Sequence, residues 1–354
     1  MTESSGDIKR KGASGAQRMK SDLPPGTARD YLFDNMKAIL IILVVWGHLL
    51  TSLINTYGSM KMIYFFVYFF HMPAMVFISG YFSKNLDKIR DNAFATILLP
   101  YLILNVVNYI YKMFIIQQPY FGFRFFRPLW GLWYLFALFI WKFFLKDLVR
   151  IRYILPLSFL IGLLSGFSKE FSEYMALGRI VCLLPFFLLG YYCKREHVER
   201  VKRLPKLLSV AVIAGTAVLS YVVVKEKLFS QEVLFLRKYF PQDKELKYML
   251  CRLLVYVVAL AMIAALMNLT GSKKCFLSRL GSSTLTIYVL HLFTIPLLEK
   301  LEILKDKPYL YLIYSIFMTA LITYLYSLPL VKRGYDTIMD KLTAIVIKKN
   351  TDEN

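Results

Sequence analysis

The chain has 354 residues, of which 57% are hydrophobic and 19% charged, and its mean hydropathy is +0.51. A soluble domain of this length carries nearer a quarter charged residues, so the composition excludes an ordinary soluble globular protein. The net charge of +21 could point to nucleic acid, but most basic residues sit in short loops between apolar runs, which excludes that partner.

Residues 1–28 are polar and nearly free of large apolar side chains, which predicts a disordered cytoplasmic tail. No short apolar core follows the first charges, so this tail does not read as a signal peptide. From there on, apolar runs of about 20 residues recur, the length a helix needs to cross about 30 Å of hydrocarbon. Backbone groups in lipid must be paired within their own segment, so helices are the default spanning element. The fold class predicted is an all-α polytopic membrane helix bundle of about ten transmembrane helices. They are placed near 34–54, 61–82, 94–116, 129–146, 151–167, 177–193, 206–225, 248–270, 280–298 and 309–330. The fifth is short. The expected organisation is one transmembrane domain over 29–333 and a cytoplasmic C-terminal tail over 334–354.

Charge sets the orientation. With the N-terminus in the cytoplasm, 28 of the 44 Lys and Arg residues fall on the inward side. Seven of the remainder lie in one longer loop, 221–252. Short inward loops such as "KREHVERVKRLPK" (Lys194–Lys206) are far more basic than their outward counterparts. This reads as a multi-pass plasma-membrane protein with both termini cytoplasmic. The cysteines, Cys182, Cys193, Cys251 and Cys275, show no paired spacing, which suggests neither a disulfide nor a metal site. No internal repeat is visible, which counts against a transporter built from two related halves.

His197 lies in a basic inward loop and reads as solvated. The other three histidines fall inside spans. A helix rises 1.5 Å per residue. His48 therefore lies roughly 16 Å outward from Lys37, His71 roughly 15 Å inward from Lys61, and His291 roughly 18 Å outward from Arg279. Three spans running in different directions thus place an imidazole near mid-depth. Ionisable groups in hydrocarbon are costly and face a bundle interior, a cavity or one another. Three readings compete. The rings could hold helices together by hydrogen bonds. They could act as a base, for which imidazole is suited near neutrality. They could hold zinc in an open site of three imidazoles, although no HxxxH or HExxH spacing supports that.

Other polar residues each carry two readings. Lys37 follows Asp34 at i+3, the spacing of a salt bridge, and could instead meet a phosphate-bearing ligand from the cytoplasm. Arg179 opens the sixth span at its outer end, as an interfacial anchor or as a group that neutralises an anion or polarises a carbonyl. Arg252 is a weaker case of the same kind. The aromatic run "GLWYLFALFIW" (Gly131–Trp141) suits lipid-facing packing better than sugar stacking. In "QQPYFGFRFFRPLW" (Gln117–Trp130) aromatics interleave with Arg124 and Arg127, a pattern open to a sugar-binding mouth.

Five blocks occur in one order: "DNMKAILIILVVWGHLL" (Asp34–Leu50), "FFHMPAMVFISGYF" (Phe69–Phe82), "LWGLWYLFALFIW" (Leu129–Trp141), "GRIVCLLPFFLLGYY" (Gly178–Tyr192) and "LGSSTLTIYVLH" (Leu280–His291). Together they resemble the bacterial type-3 membrane acyltransferase family, and the fucose 4-O-acetylase-like branch of it. In that family's first span a basic residue and a His are separated by ten others, here Lys37 and His48. The resemblance implies a ten-span bundle that moves an acyl group, usually acetyl, from cytoplasmic acyl-CoA to a hydroxyl of an extracytoplasmic glycan. It implies no bound cofactor, with acetyl-CoA as donor substrate. The implied site uses His48 as base, His71 and His291 to orient it or stabilise an oxyanion, Lys37 with the basic loop Lys84, Lys88 and Arg90 for CoA phosphates, and Arg179 on the outer side. Many relatives carry an Arg-x-x-Arg pair in that loop, and this chain lacks it. The rival class is a proton-coupled transporter or channel, which would also use mid-membrane histidines.

Overall fold

The structure, a computed structural model, describes residues 30–117, 128, 131–168, 174–235 and 240–346. Among them every regular element is helical. All ten expected segments form helix, but not ten full-length spans. Six helical stretches are long and apolar enough to cross a bilayer: Leu32–Leu53, Gly58–Tyr81, Leu86–Ile116, Lys206–Lys225, Glu245–Leu269 and Pro308–Tyr326. Two bent pairs raise the number to eight: Leu177–Tyr192 with Arg195–Lys202, bent by 96°, and Phe276–Ser282 with Thr284–Lys300, bent by 73°. The expected fourth and fifth spans are shorter helices, α6 (Trp133–Leu148) and α7 (Ile154–Leu164). At 1.5 Å per residue neither covers about 30 Å alone. The chain is a multi-pass membrane protein.

The centre of the bundle is α1 (Leu32–Leu50), which packs against α2 (Gly58–Tyr68), α3 (His71–Tyr81), α13 (Phe276–Ser282), α14 (Thr284–Lys300) and α15 (Pro308–Tyr326). α10 (Lys206–Lys225) and α15 are peripheral. Only 22% and 28% of their apolar windows are buried, against 67% for α2 and α3 together, so their apolar outer faces meet lipid. α3 crosses α8 (Leu177–Tyr192) at glycines. A Cβ on Gly80 would fall 1.9 Å from the Phe187 carbonyl oxygen, and one on Gly190 would fall 2.0 Å from that of Phe77. Close backbone approach at small residues is how helices associate where lipid removes the hydrophobic drive.

At one end the helix termini carry the basic segments around Lys37, α4 (Leu86–Ala93) and α9 (Arg195–Lys202); we call this the basic face. Two buried asparagines tie it together. Asn35 Nδ2 donates to the Gly271 and Lys273 carbonyls at 2.7 and 3.0 Å. Asn268 Nδ2, on α12 (Glu245–Leu269), donates to those of Val201 and Leu204 at 2.9 and 3.0 Å. The far face carries the turn after α1, the short α11 (Gln231–Phe235) and the turn before α15. The expected C-terminal tail starts inside α16 (Pro329–Val346), so residues 334–346 continue a helix. α5 (Leu99–Tyr111) completes the set.

Candidate active site

Proline has no N–H to donate and clashes with the preceding helical turn. Pro73 therefore leaves the Phe69 carbonyl without its helical donor, and the helix breaks at Phe69–Phe70, between α2 and α3. At this break the Val67 carbonyl accepts from the Phe70 N–H at 3.3 Å and from His71 Nδ1 at 2.9 Å. The "HMP" triplet thus produces a kink and, through it, a fixed imidazole. His71 is 2% exposed, and its ring meets Tyr68 edge-on at 4.5 Å.

His48 and His291 meet directly. His48 Nδ1 lies 2.9 Å from His291 Nε2, and His291 Nδ1 lies 3.0 Å from the Ile287 carbonyl. A carbonyl only accepts, so His291 carries its proton on Nδ1. A neutral imidazole then presents an acceptor at Nε2, and His48 must donate to it from Nδ1. The relay leaves the His48 lone pair on Nε2. By the same argument the Val67 carbonyl puts the His71 proton on Nδ1 and its lone pair on Nε2. His291 is fully buried, whereas His48 is partly accessible, through the cavity that it lines.

That cavity has a volume of about 330 Å³. His48, His71, Tyr64, Tyr68, Tyr134, Tyr288, Trp133 and Arg179 line its deep part, and Thr51, Asn55, Gln231 and Glu232 bring it toward the far face. The hydroxyls of Tyr64, Tyr68 and Thr51 hydrogen-bond among themselves. Tyr134 Oη and Ser79 Oγ are 2.7 Å apart, and the Tyr288 hydroxyl donates to the Gly131 carbonyl. Gly131 has φ +69°, and a Cβ there would fall 2.3 Å from Leu292, so only glycine lets this turn reach α14. The Arg179 guanidinium lies over the Trp133 ring, 4.6 Å from its centroid. The arrangement offers a ring nitrogen that can take a proton, an imidazole partner that stabilises the resulting cation, and a guanidinium to stabilise developing negative charge.

The other expected residues lie elsewhere. Lys37 pairs with Asp34 at 2.9 Å and sits over the Phe82 ring, at the basic face. Lys84 Nζ donates to the carbonyls of Gly190, Tyr191 and Cys193, capping the C-terminus of α8. Arg90 pairs with Asp147 at 3.0 Å, and Lys88 is exposed on α4. The loop expected to grip phosphates thus has two of its three cations engaged within the protein. Arg252 is buried away from the cavity, donating to the Gly162 carbonyl and Ser165 Oγ at 2.8 and 2.9 Å. Arg124, Arg127 and the tail 1–28 lie outside the described residues. Among the described residues no three His, Cys, Asp or Glu side chains are placed to hold one metal ion.

Sequence reading missed the tyrosines, Thr51, Asn55, Gln231 and Glu232. With 25 tyrosines in the chain, no single one stands out. The one available signal for Gln231 and Glu232 is that they precede a short apolar run, "VLFL", within a charged loop.

These features define a class: a polytopic membrane helix bundle whose histidines converge on one cavity open toward one face. Residues 30–327 match the acyltransferase domain of the type-3 family, and the chain belongs to that family. Nodulation protein NolL of Sinorhizobium fredii is 50% identical over 60 residues, 16% of each chain. NolL of Mesorhizobium japonicum is 46% identical over 80 residues, 22% of this chain and 20% of the relative. The matched stretches therefore span about a fifth or less of these curated relatives. No solved structure matches the chain.

Proposed function

We propose that the protein is an O-acyltransferase that moves an acyl group, acetyl in the simplest case, from acyl-CoA to a hydroxyl of a cell-surface or exported glycan. The observation that carries this reading is the relay from the Ile287 carbonyl through His291 to His48, which ends in a proton-accepting nitrogen at a cavity. In this reading the basic face is cytoplasmic, as the positive-inside bias favours, and the membrane is the plasma membrane. The donor enters from that side, near Lys37, and the glycan from the far face.

His48 Nε2 takes the proton of the acceptor hydroxyl as its oxygen attacks the thioester carbonyl. The imidazolium keeps its Nδ1–H on His291 Nε2, which stabilises the new charge. Arg179 and the cavity tyrosines stabilise the oxyanion. Collapse breaks the C–S bond, and the His48 proton goes to the departing sulfur, giving the O-ester and the CoA thiol. A positioned base contributes about 10²–10⁴ in rate, and one oxyanion donor about 10²–10³.

The test is reconstitution. Proteoliposomes given acetyl-CoA on one side and a glycan on the other should release CoA thiol and add an acetyl mass to the glycan. Solute flux with no acetyl-CoA consumed would instead identify a transporter.

A further inference from the structure

His71 is the mid-depth imidazole that takes no part in the proton transfer proposed for His48 and His291. Its ring is held on two sides: Nδ1 bonds the Val67 carbonyl at 2.9 Å, and Tyr68 meets it edge-on at 4.5 Å. Nδ1 therefore carries the proton, and Nε2 can only accept. Among the described residues nothing donates to Nε2. Nor is Nε2 one of the enclosed polar atoms that lack a partner, so it keeps accessible area, and it keeps it toward the cavity that His71 lines. Tyr68 also ties this ring to the reacting one. It packs against α1 at Gly47, the residue before His48, where a Cβ would fall 2.9 Å from the Tyr68 ring. Two accepting nitrogens, one from α1 and one from the start of α3, thus share one cavity. An acceptor taken out of bulk water is unfavourable until something donates to it. The thioester end of acyl-CoA has no O–H or N–H beside its reacting carbonyl. A sugar does bring such a donor, the hydroxyl next to the one that reacts, held gauche to it wherever the pair is cis or diequatorial on the ring.

We infer that His71 Nε2 reads the acceptor by taking a hydrogen bond from the hydroxyl vicinal to the one that His48 deprotonates, and that the acceptor class is a vicinal diol of a sugar. This rests on the acyl-transfer reading above. The two bonds differ in fate. The O–H on His48 gives up its proton as its oxygen attacks, whereas the O–H on His71 keeps its proton throughout. His71 is thus a specificity residue: it fixes the diol and so decides which hydroxyl reaches His48 Nε2.

The test uses the full chain in detergent with the methyl glycosides of glucose, galactose and mannose, first intact and then with each hydroxyl in turn replaced by hydrogen or by fluorine. Binding is measured by calorimetry without donor, separately from acetyl transfer from acetyl-CoA. For the best acceptor, loss of one hydroxyl beside the acetylated one should weaken binding and lower kcat/KM about 10- to 100-fold, the loss expected when a buried hydrogen-bond partner is removed. The fluoro form should lose as much, because fluorine cannot donate. His71→Leu should lose the same on the intact glycoside and nothing further on the deoxy form, while the KM for acetyl-CoA stays in place. His71→Gln, which restores an acceptor oxygen, should recover part of the loss. A deoxy penalty that persists in His71→Leu would overturn the contact. So would a fluoro form that behaves like the intact sugar, a measurement that needs the wild-type protein alone. A raised KM for acetyl-CoA with an unchanged acceptor KM would overturn it too, by placing His71 on the donor. Failure of the wild-type protein to bind any intact glycoside would overturn the ligand class. Binding that follows the deoxy and His71 pattern, with no acetyl transferred, would uphold the contact and overturn the acyl-transfer reading instead.

Discussion

The Ile287 carbonyl sets the protonation pattern of two imidazoles. Because it can only accept, His291 must accept at Nε2, and His48 must carry its lone pair on Nε2. His291 is thus a positioning residue, which gives a prediction that a packing role would not. His291→Gln keeps an acceptor oxygen for His48 Nδ1 and should retain roughly a tenth of kcat, whereas His291→Ala should lose about 10²-fold, with the KM for both substrates steady in each. Equal kcat in the two variants would remove the relay. Lys84 yields the opposite kind of prediction. It bonds three carbonyls at the C-terminal end of α8, those of Gly190, Tyr191 and the capping Cys193, so Lys84→Ala should lower thermal stability by about 1–3 kcal/mol and leave the KM for acetyl-CoA unchanged. A large rise in that KM would restore Lys84 to phosphate binding. The three mid-depth histidines were legible in the sequence because imidazole is rare in apolar runs. Lys84 was not, because sequence shows a cation near a boundary and never which carbonyls it reaches.

Among the elements, the hydropathy pattern located the helices and missed their breaks. The kink at Phe69–Phe70 follows from Pro73, yet Pro185 and Pro296 lie inside α8 and α14, and each of these is a single helix. What a proline does depends on whether neighbours re-satisfy the carbonyl it frees; at this break the His71 ring bonds the Val67 carbonyl, not the Phe69 carbonyl that Pro73 frees. Pro73→Ala should therefore let α2 and α3 join and release the His71 ring. Acyl transfer should fall about 10- to 100-fold, as for a catalytic group shifted by about 1 Å, with no loss of thermal stability. The α3–α8 crossing makes the converse prediction. Gly80→Ala would drive a methyl into the Phe187 carbonyl, and overpacking of this kind costs about 3 kcal/mol or more. The variant should accumulate poorly and melt early in detergent. The shortness of α7 was legible beforehand, as the fifth apolar segment is itself short; that of α6 was not, because Leu129, Trp130 and Leu132 extend its apolar run ahead of the point where the helix starts.

At the scale of the whole molecule, sequence charge divides the connecting segments between two sides. The segments expected on one side meet through Asn35, Asn268 and Lys84, and the turns expected on the other meet where Tyr57 Oη donates to the Lys305 carbonyl at 3.2 Å. The proposed orientation predicts that Lys88→Cys is labelled by a membrane-impermeant maleimide only from the cytoplasm, and Asn55→Cys only from outside. Labelling from the reverse sides would invert the donor and acceptor paths. What charge could not provide is the cavity, since Thr51, Tyr134, Tyr288, Arg179 and Gln231 come from separate helices and converge only in the folded bundle. Acyl transfer by this route rests on His48, and its most direct test is acetyl transfer by purified, reconstituted His48→Ala. That variant should insert and melt like the wild-type protein while losing about 10²–10⁴ in rate; transfer at the wild-type rate would contradict the account.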